Sequence, residues 1–199
     1  MATVIPRQIL DAWAFAALGV VLVIAAVVDV RTARIPNWLT YTAAVVGMIG
    51  HTLLGGLGGL GGLDGAMGLS GAAAGLAVGF LPLGAAWLAG GIGGGDAKLM
   101  AAVGALGGWR LAVMALFYGL LAAAVMAIFV ALRHRIFKRT FARVLRFLFL
   151  LTTPTRPADP ATPDSPKVPF GVALCLGGAA ALIEAIFRGP LASKFLLGI

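Results

Sequence analysis

The chain has 199 residues, of which 61% are hydrophobic and 11% charged, with a mean hydropathy of +1.03. A soluble domain carries about 25% charged residues, so this composition excludes an ordinary soluble fold and points to a polytopic membrane protein. The net charge of +8 does not point to nucleic acid, because the basic residues flank apolar runs as topogenic charges do.

The first apolar run begins near Ala12 and ends at Asp29. It is longer than a signal-peptide core and is followed by charge and "RIPN" rather than a small-residue cleavage site, so it reads as a retained helix. With about 20 apolar residues needed per crossing, the sequence predicts spans at 10–30, 38–55, 66–90, 96–109, 110–132 and 169–188. Between the second and third, "GGLGGLGGL" (55–63) has a three-residue repeat without helical period and reads as a flexible loop. The fourth span is short and joins the fifth through "GGWR". Its length predicts a helix shielded by its neighbours, with its start near a wet cavity.

Between the fifth and sixth spans, "RHRIFKRTFARVLRFLFLL" (133–151) alternates bases with aromatics and leucines, as an amphipathic helix on an anionic leaflet does. The following "TTPTRPADPATPDSPK", with five prolines, reads as an irregular linker. The expected fold is therefore all-α, one integral-membrane domain over residues 1–199 with six transmembrane helices. Cys175, the single cysteine, lies in an apolar run and provides neither a disulfide framework nor a CxxC metal site.

Charge asymmetry orients these spans. Arg31, Arg34, Lys98, Arg133, Arg135, Lys138, Arg139, Arg143, Arg146, Arg156 and Lys167 fall on one side, against Arg7, Arg110, Arg188 and Lys194 on the other. The richer side is expected to be cytoplasmic, with both termini outside.

Most acids have bland explanations. Asp11 is expected at the outer start of the first span, Asp64 in the glycine loop, and Asp159 and Asp164 in the proline-rich linker, while Glu184 lies near the outer end of the last span with Arg188 four residues on. Asp29 and Asp96 differ, since both are expected at the cytoplasmic membrane boundary, at one depth, in two helices. Two readings stay open. Each aspartate suits a cap, Asp29 of the turn into "RTARIPN" and Asp96 of its own helix; equally, intramembrane acids mark function. Facing carboxylates hold one proton between them, so one can take a proton from water while the other polarises a peptide carbonyl. Lys98, two positions from Asp96, is expected on another helix face. No serine–histidine or cysteine–histidine set competes, and ligands for a metal are too few at that depth.

Three stretches then resemble the prepilin peptidases. "VVDVRTARIPNWLT" (27–40) resembles their first signature, "GGGD" (93–96) with Lys98 their GxGD-x-K signature, and "KVPFGVA" (167–173) the Pro-Phe-Gly element opening their last helix. The resemblance implies a GxGD intramembrane aspartic protease, a class that also includes preflagellin peptidases and, distantly, presenilin. It implies that Asp29 and Asp96 are catalytic, with Gly93, Gly95, Lys98, Arg34, Pro36, Asn37, Pro169, Phe170 and Gly171 as motif or substrate-positioning residues. Gly93 and Gly95 are expected to let substrate backbone or a neighbouring helix come close. Pro169 and Gly171 are expected to free backbone groups that pair with an extended substrate, or simply to end a helix.

The implied substrate is a type IV prepilin or pseudopilin with a hydrophobic N-terminal helix, cut at the cytoplasmic face of the bacterial inner membrane. No cofactor, metal or nucleic acid is implied. The missing CxxC-bearing domain resembles the short form serving Flp/Tad-type pili and implies peptidase activity without N-methylation. A preflagellin-type peptidase, a transporter using both acids as a relay and a silent assembly component are the alternatives. Gly71, Gly75 and Gly79 form a separate small-xxx-small stripe, expected to be a helix-packing seam.

Overall fold

A computed structural model describes residues 7–62, 65–133 and 170–188. The apolar runs form five helices: α1 (Arg7–Thr32), α2 (Asn37–Gly55), α3 (Leu69–Leu88), α4 (Gly94–Arg133) and α5 (Phe170–Arg188). Stretches of α1, α3, α4 and α5 are long and apolar enough to cross a membrane; α2 is outside that set. The chain divides into two compact units, one of residues 1–122 and 169–199 and one of residues 123–168. Of the second unit the described part is the end of α4. The expected amphipathic segment, the proline-rich linker, Pro169, Asp64, Asp159 and Asp164 lie outside the described residues.

The first unit is a helix bundle in which glycines let backbones touch. Gly75 of α3 and Gly104 of α4 face one another so closely that a Cβ on either would enter the other's carbonyl. Gly79 faces Met100 O in the same way, and a Cβ at Gly47 of α2 would stand 2.7 Å from Ala105 O. The stripe of Gly71, Gly75 and Gly79 is thus a packing seam, as expected, with all three buried. Gly177 of α5 packs on Gly119 and Ala115 of α4, while Gly178 and Leu182 of α5 meet Leu22 and Gly19 of α1. Close approach of this kind replaces the hydrophobic driving force that helices lack in lipid.

These contacts fix direction. Asp29, Leu22 and Gly19 of α1 meet Gly171, Gly178 and Leu182 of α5, so the two helices run in opposite senses. The same logic sets α3 antiparallel to the start of α4, and α2 parallel to it.

The expected short fourth span is the first arm of α4. Its run from Leu99 to Leu106 is buried on every side, as is Ala97, which is how an all-round apolar helix must sit. The arm ends at Gly108, where φ 80° and ψ 173° break the helix in a region that favours glycine. A second arm follows from Trp109, so "GGWR" holds the kink between the two helical arms of α4.

One expectation is corrected. Residues 55–63 were expected to form a flexible loop. Instead Leu60–Gly62 (β1) pairs antiparallel with Gly65–Met67 (β2), in the register Leu60↔Met67 and Gly62↔Gly65. The glycines supply the positive φ of Gly56 and Gly59, and Met67 is clamped between Gly55 and Gly108. A composition without helical period therefore hid a hairpin, and the fold is helical with this one small sheet among the described residues.

Gly75→Leu should lower stability by about 1–3 kcal/mol or more, because the side chain has only backbone to displace. Gly58→Ala faces open space and should stay within about 0.5 kcal/mol of wild type. Thermal unfolding of the detergent-solubilised protein measures both.

Candidate active site

One end of the first unit gathers the end of α1, the starts of α2, α4 and α5, and the end of α3. α1 runs one turn past Asp29 and closes at Ala33, whose φ of 50° and N–H bond to Asp29 O at 2.8 Å form a left-handed helix end. Pro36, extended at φ −71° and ψ 137°, is the N-cap of α2 and stops α1 from continuing. The gap left between the expected spans 10–30 and 38–55 thus shortens to residues 33–36, with Ile35 buried within it.

Asp29 is 7% exposed. Its carboxylate does not cap the local turn. Instead Oδ2 accepts the backbone N–H of Val172, in the first turn of α5, at 2.9 Å. Gly171 permits this, since a Cβ there would stand 2.6 Å from Oδ2 and 2.7 Å from Cγ. The backbone freed at the start of α5 was expected to serve substrate; at Val172 it is given to Asp29. Phe170 is half-buried and packs against the core.

Asp96 lies in the first turn of α4 and is half-buried. Its carboxylate takes a backbone hydrogen bond from Gly93, the acidic half of a capping box. Asp96 is thus not the N-cap residue itself but the third residue of α4 reaching back to its start, while the Asp29 carboxylate goes to another helix. Asp96 and Asp29 stand at the same end of the bundle, at the start of α4 and the end of α1. Such a pair can exchange protons with a water placed between its members.

The three glycines before Asp96 do different work. A Cβ at Gly95 would stand 3.3 Å from Ile35 Cβ, so its bareness admits the α1–α2 connector. A Cβ at Gly94 would stand 3.0 Å from Trp87 Nε1. Gly93 is exposed, and the atoms near its Cβ position belong to Asp96, with Oδ2 at 3.2 Å.

Lys98 points away from Asp96, as its spacing predicts. Its Nζ donates to Asn37 Oδ1 at 3.0 Å and lies 5.1 Å from the Tyr41 ring centroid. It ties α4 to the start of α2. The Arg34 side chain is exposed, and Pro36 is half-buried. Cys175, one turn beyond Gly171, is buried within the field of both aspartates.

Other polar groups are used elsewhere. His51 is buried at the opposite end, with Nε2 3.0 Å from Leu106 O and its ring 5.0 Å from Trp13. Glu184 accepts a hydrogen bond from Tyr118 Oη at 2.5 Å, a partner on α4 that helical spacing alone did not reveal. Among the described residues, no group of three or more His, Cys, Asp or Glu side chains could hold a metal ion. The Val172 amide is the site group that sequence reasoning missed. It is a backbone donor, so residue identity carried no signal; its place in the first turn of a helix did.

Among the described residues, four helices long and apolar enough to cross a bilayer define a helical membrane protein. The chain belongs to the type IV leader peptidase family, whose model matches residues 16–128, more than half its length. That match includes Asp29–Asn37 and Gly93–Lys98, and it ends before α5. Comparisons with curated proteins and with solved structures returned no match. Membership of a peptidase family supports protease activity at a membrane.

Lys98→Met and Asn37→Ala should be non-additive, each single change losing the same contact, with a coupling of about 0.5–1 kcal/mol. A double-mutant cycle on unfolding midpoints reads this out; strictly additive losses would mean that Lys98 does not hold the start of α2.

Proposed function

We propose that the chain is a membrane aspartic endopeptidase that removes the short basic leader from type IV, Flp-like prepilins or pseudopilins. The observation that supports this reading is that Asp29 and Asp96 come from two helices to one end of the bundle in a member of the leader peptidase family. The chemistry follows from sharing a proton. The ionised carboxylate takes a proton from water as the water oxygen bonds to the scissile carbonyl carbon, and the protonated carboxyl gives its proton to the carbonyl oxygen. Collapse of this tetrahedral species returns a proton to the departing amine, and the C–N bond breaks. No covalent enzyme intermediate forms.

In the proposed topology α1, α2, α3, both arms of α4 and α5 make six crossings, with both termini outside. α2 supports its own place among them, since Trp38, Tyr41, Val45, Ile49 and Leu53 are exposed along one apolar stripe at helical spacing. The first arm of α4, at about 20 Å, is shorter than a bilayer core of about 30 Å, and its burial frees it from that requirement. The end holding Arg31, Arg34 and Lys98 together with both aspartates faces the cytoplasm. There a basic leader meets the site while the substrate's apolar helix stays in lipid. The chain acts as a peptidase alone, of the inner membrane.

Purified protein incubated with an Flp-like prepilin should release the leader. Asp29→Asn and Asp96→Asn should each lower cleavage at least ~10³-fold, the order lost when a catalytic group is removed, with unfolding midpoints intact. Cleavage by either variant at the wild-type rate would rule out the dyad. Mass spectrometry of the product should show an unmethylated N-terminus.

Ala33→Cys and Pro160→Cys, made in a Cys175→Ala background, should react with a membrane-impermeant maleimide only after the cytoplasmic side is exposed. Labelling of intact cells reverses the proposed orientation.

A further inference from the structure

Asp29 stands in the last turn of α1, where the helix end is negative and disfavours a carboxylate by about 0.3–1 kcal/mol. Its carboxylate is nevertheless almost fully buried. Local capping does not explain this, because the atom that meets Oδ2 is the Val172 amide, more than a hundred residues away in sequence, at 2.9 Å. The α5 start is built to receive it. Gly171 is buried, and the whole carboxylate lies against its bare Cα, with Oδ2, Cγ and Oδ1 at 2.6, 2.7 and 3.1 Å from where a Cβ would be. Below that contact, α1 and α5 are locked in register by Gly178 on Leu22 and Gly19 on Leu182. The amide therefore comes to Asp29 on a fixed element, not on a loop.

We propose that the backbone N–H of Val172 is a positioning group for catalysis: it holds Oδ2 of Asp29 so that Oδ1 is the oxygen presented to the attacking water. This inference rests on the dyad reading above. It assigns a task to α5, which the family match does not reach. It also explains why position 171 is glycine, since a methyl group there would push the carboxylate off the amide. The side chain of Val172 takes no part.

The backbone origin of the contact makes it testable apart from side-chain packing. Val172 lies in the first helical turn, where an N–H has no partner within the helix and proline is tolerated. Val172→Pro deletes that donor, while Val172→Ala keeps it. An α-hydroxy acid placed at 172 by nonsense suppression replaces the N–H with oxygen and keeps the valine side chain, guarding against misfolding of the proline variant. With the Flp-like prepilin as substrate, Val172→Pro and the ester variant should lose at least ~10-fold in kcat, up to the ~10²-fold that misplacing a reacting group costs. KM should stay within about twofold, as expected when the lost interaction serves the transition state, and Val172→Ala should remain near wild type.

Wild-type kcat in the ester variant overturns the inference, as does an equal loss in Val172→Ala. Asp29→Asn and Asp96→Asn run alongside. If they cleave normally, the dyad reading itself has failed and this inference falls with it. If they are inactive while the ester variant is fully active, only the role of Val172 has failed.

Discussion

A carboxylate set among apolar helices must find a donor, and Asp29 finds one on the far side of the bundle at the start of α5. Much of the bundle's arrangement follows from that bond. It requires α5 to begin at the level where α1 is about to end, and hence the two helices to run in opposite senses. It requires a residue without a side chain at position 171. A hydrogen bond to a charged group contributes about 1.5–3 kcal/mol, more than the unfavourable end of α1 takes away. The position at the wrong end of its own helix is thus tolerated because another helix supplies the right end.

The glycine seams serve the same requirement. In lipid, apolar surface gains nothing by leaving one hydrocarbon environment for another, so helices associate through close packing and polar contacts. Gly75 on Gly104 and Gly177 on Gly119 bring backbones together from α3 to α5 through both arms of α4. That packing buries the short first arm of α4 from Leu99 to Leu106, and it carries Asp96 to the end where Asp29 waits. An arm too short to span on its own can be central only because its neighbours cover it.

Much of this was legible in the residues. The interruption of apolar runs by charge marked the helices. The seam of Gly71, Gly75 and Gly79 was readable from its four-residue spacing. The hairpin at Leu60–Met67 was not, because glycine carries no alternation pattern to betray a strand. Nor could sequence separate the two capping readings. Aspartate suits a helix start and a turn equally well, and only the bond to Val172 shows that Asp29 caps a different helix from the one it sits in. Similarly, three adjacent glycines look alike in a motif. Gly94 and Gly95 turn out to make room for Trp87 and Ile35, whereas the atoms facing Gly93 belong to Asp96.

The electrostatics of the whole end complete the argument. The helices converge with the starts of α2, α4 and α5. Each start carries roughly half a positive charge, which favours an anion placed directly against it. Two acids sit against two of those starts: Asp96 in the first turn of α4, Asp29 on the first turn of α5. The third start, that of α2, is joined through Asn37 to Lys98, which adds a full positive charge beside the site. The two acids belong to helices of opposite direction, yet each meets the same kind of partner, a backbone amide at a helix start. For Asp29 that partner lies on another helix. The contact depends on Gly171, the residue whose missing side chain lets Asp29 reach a helix start other than its own.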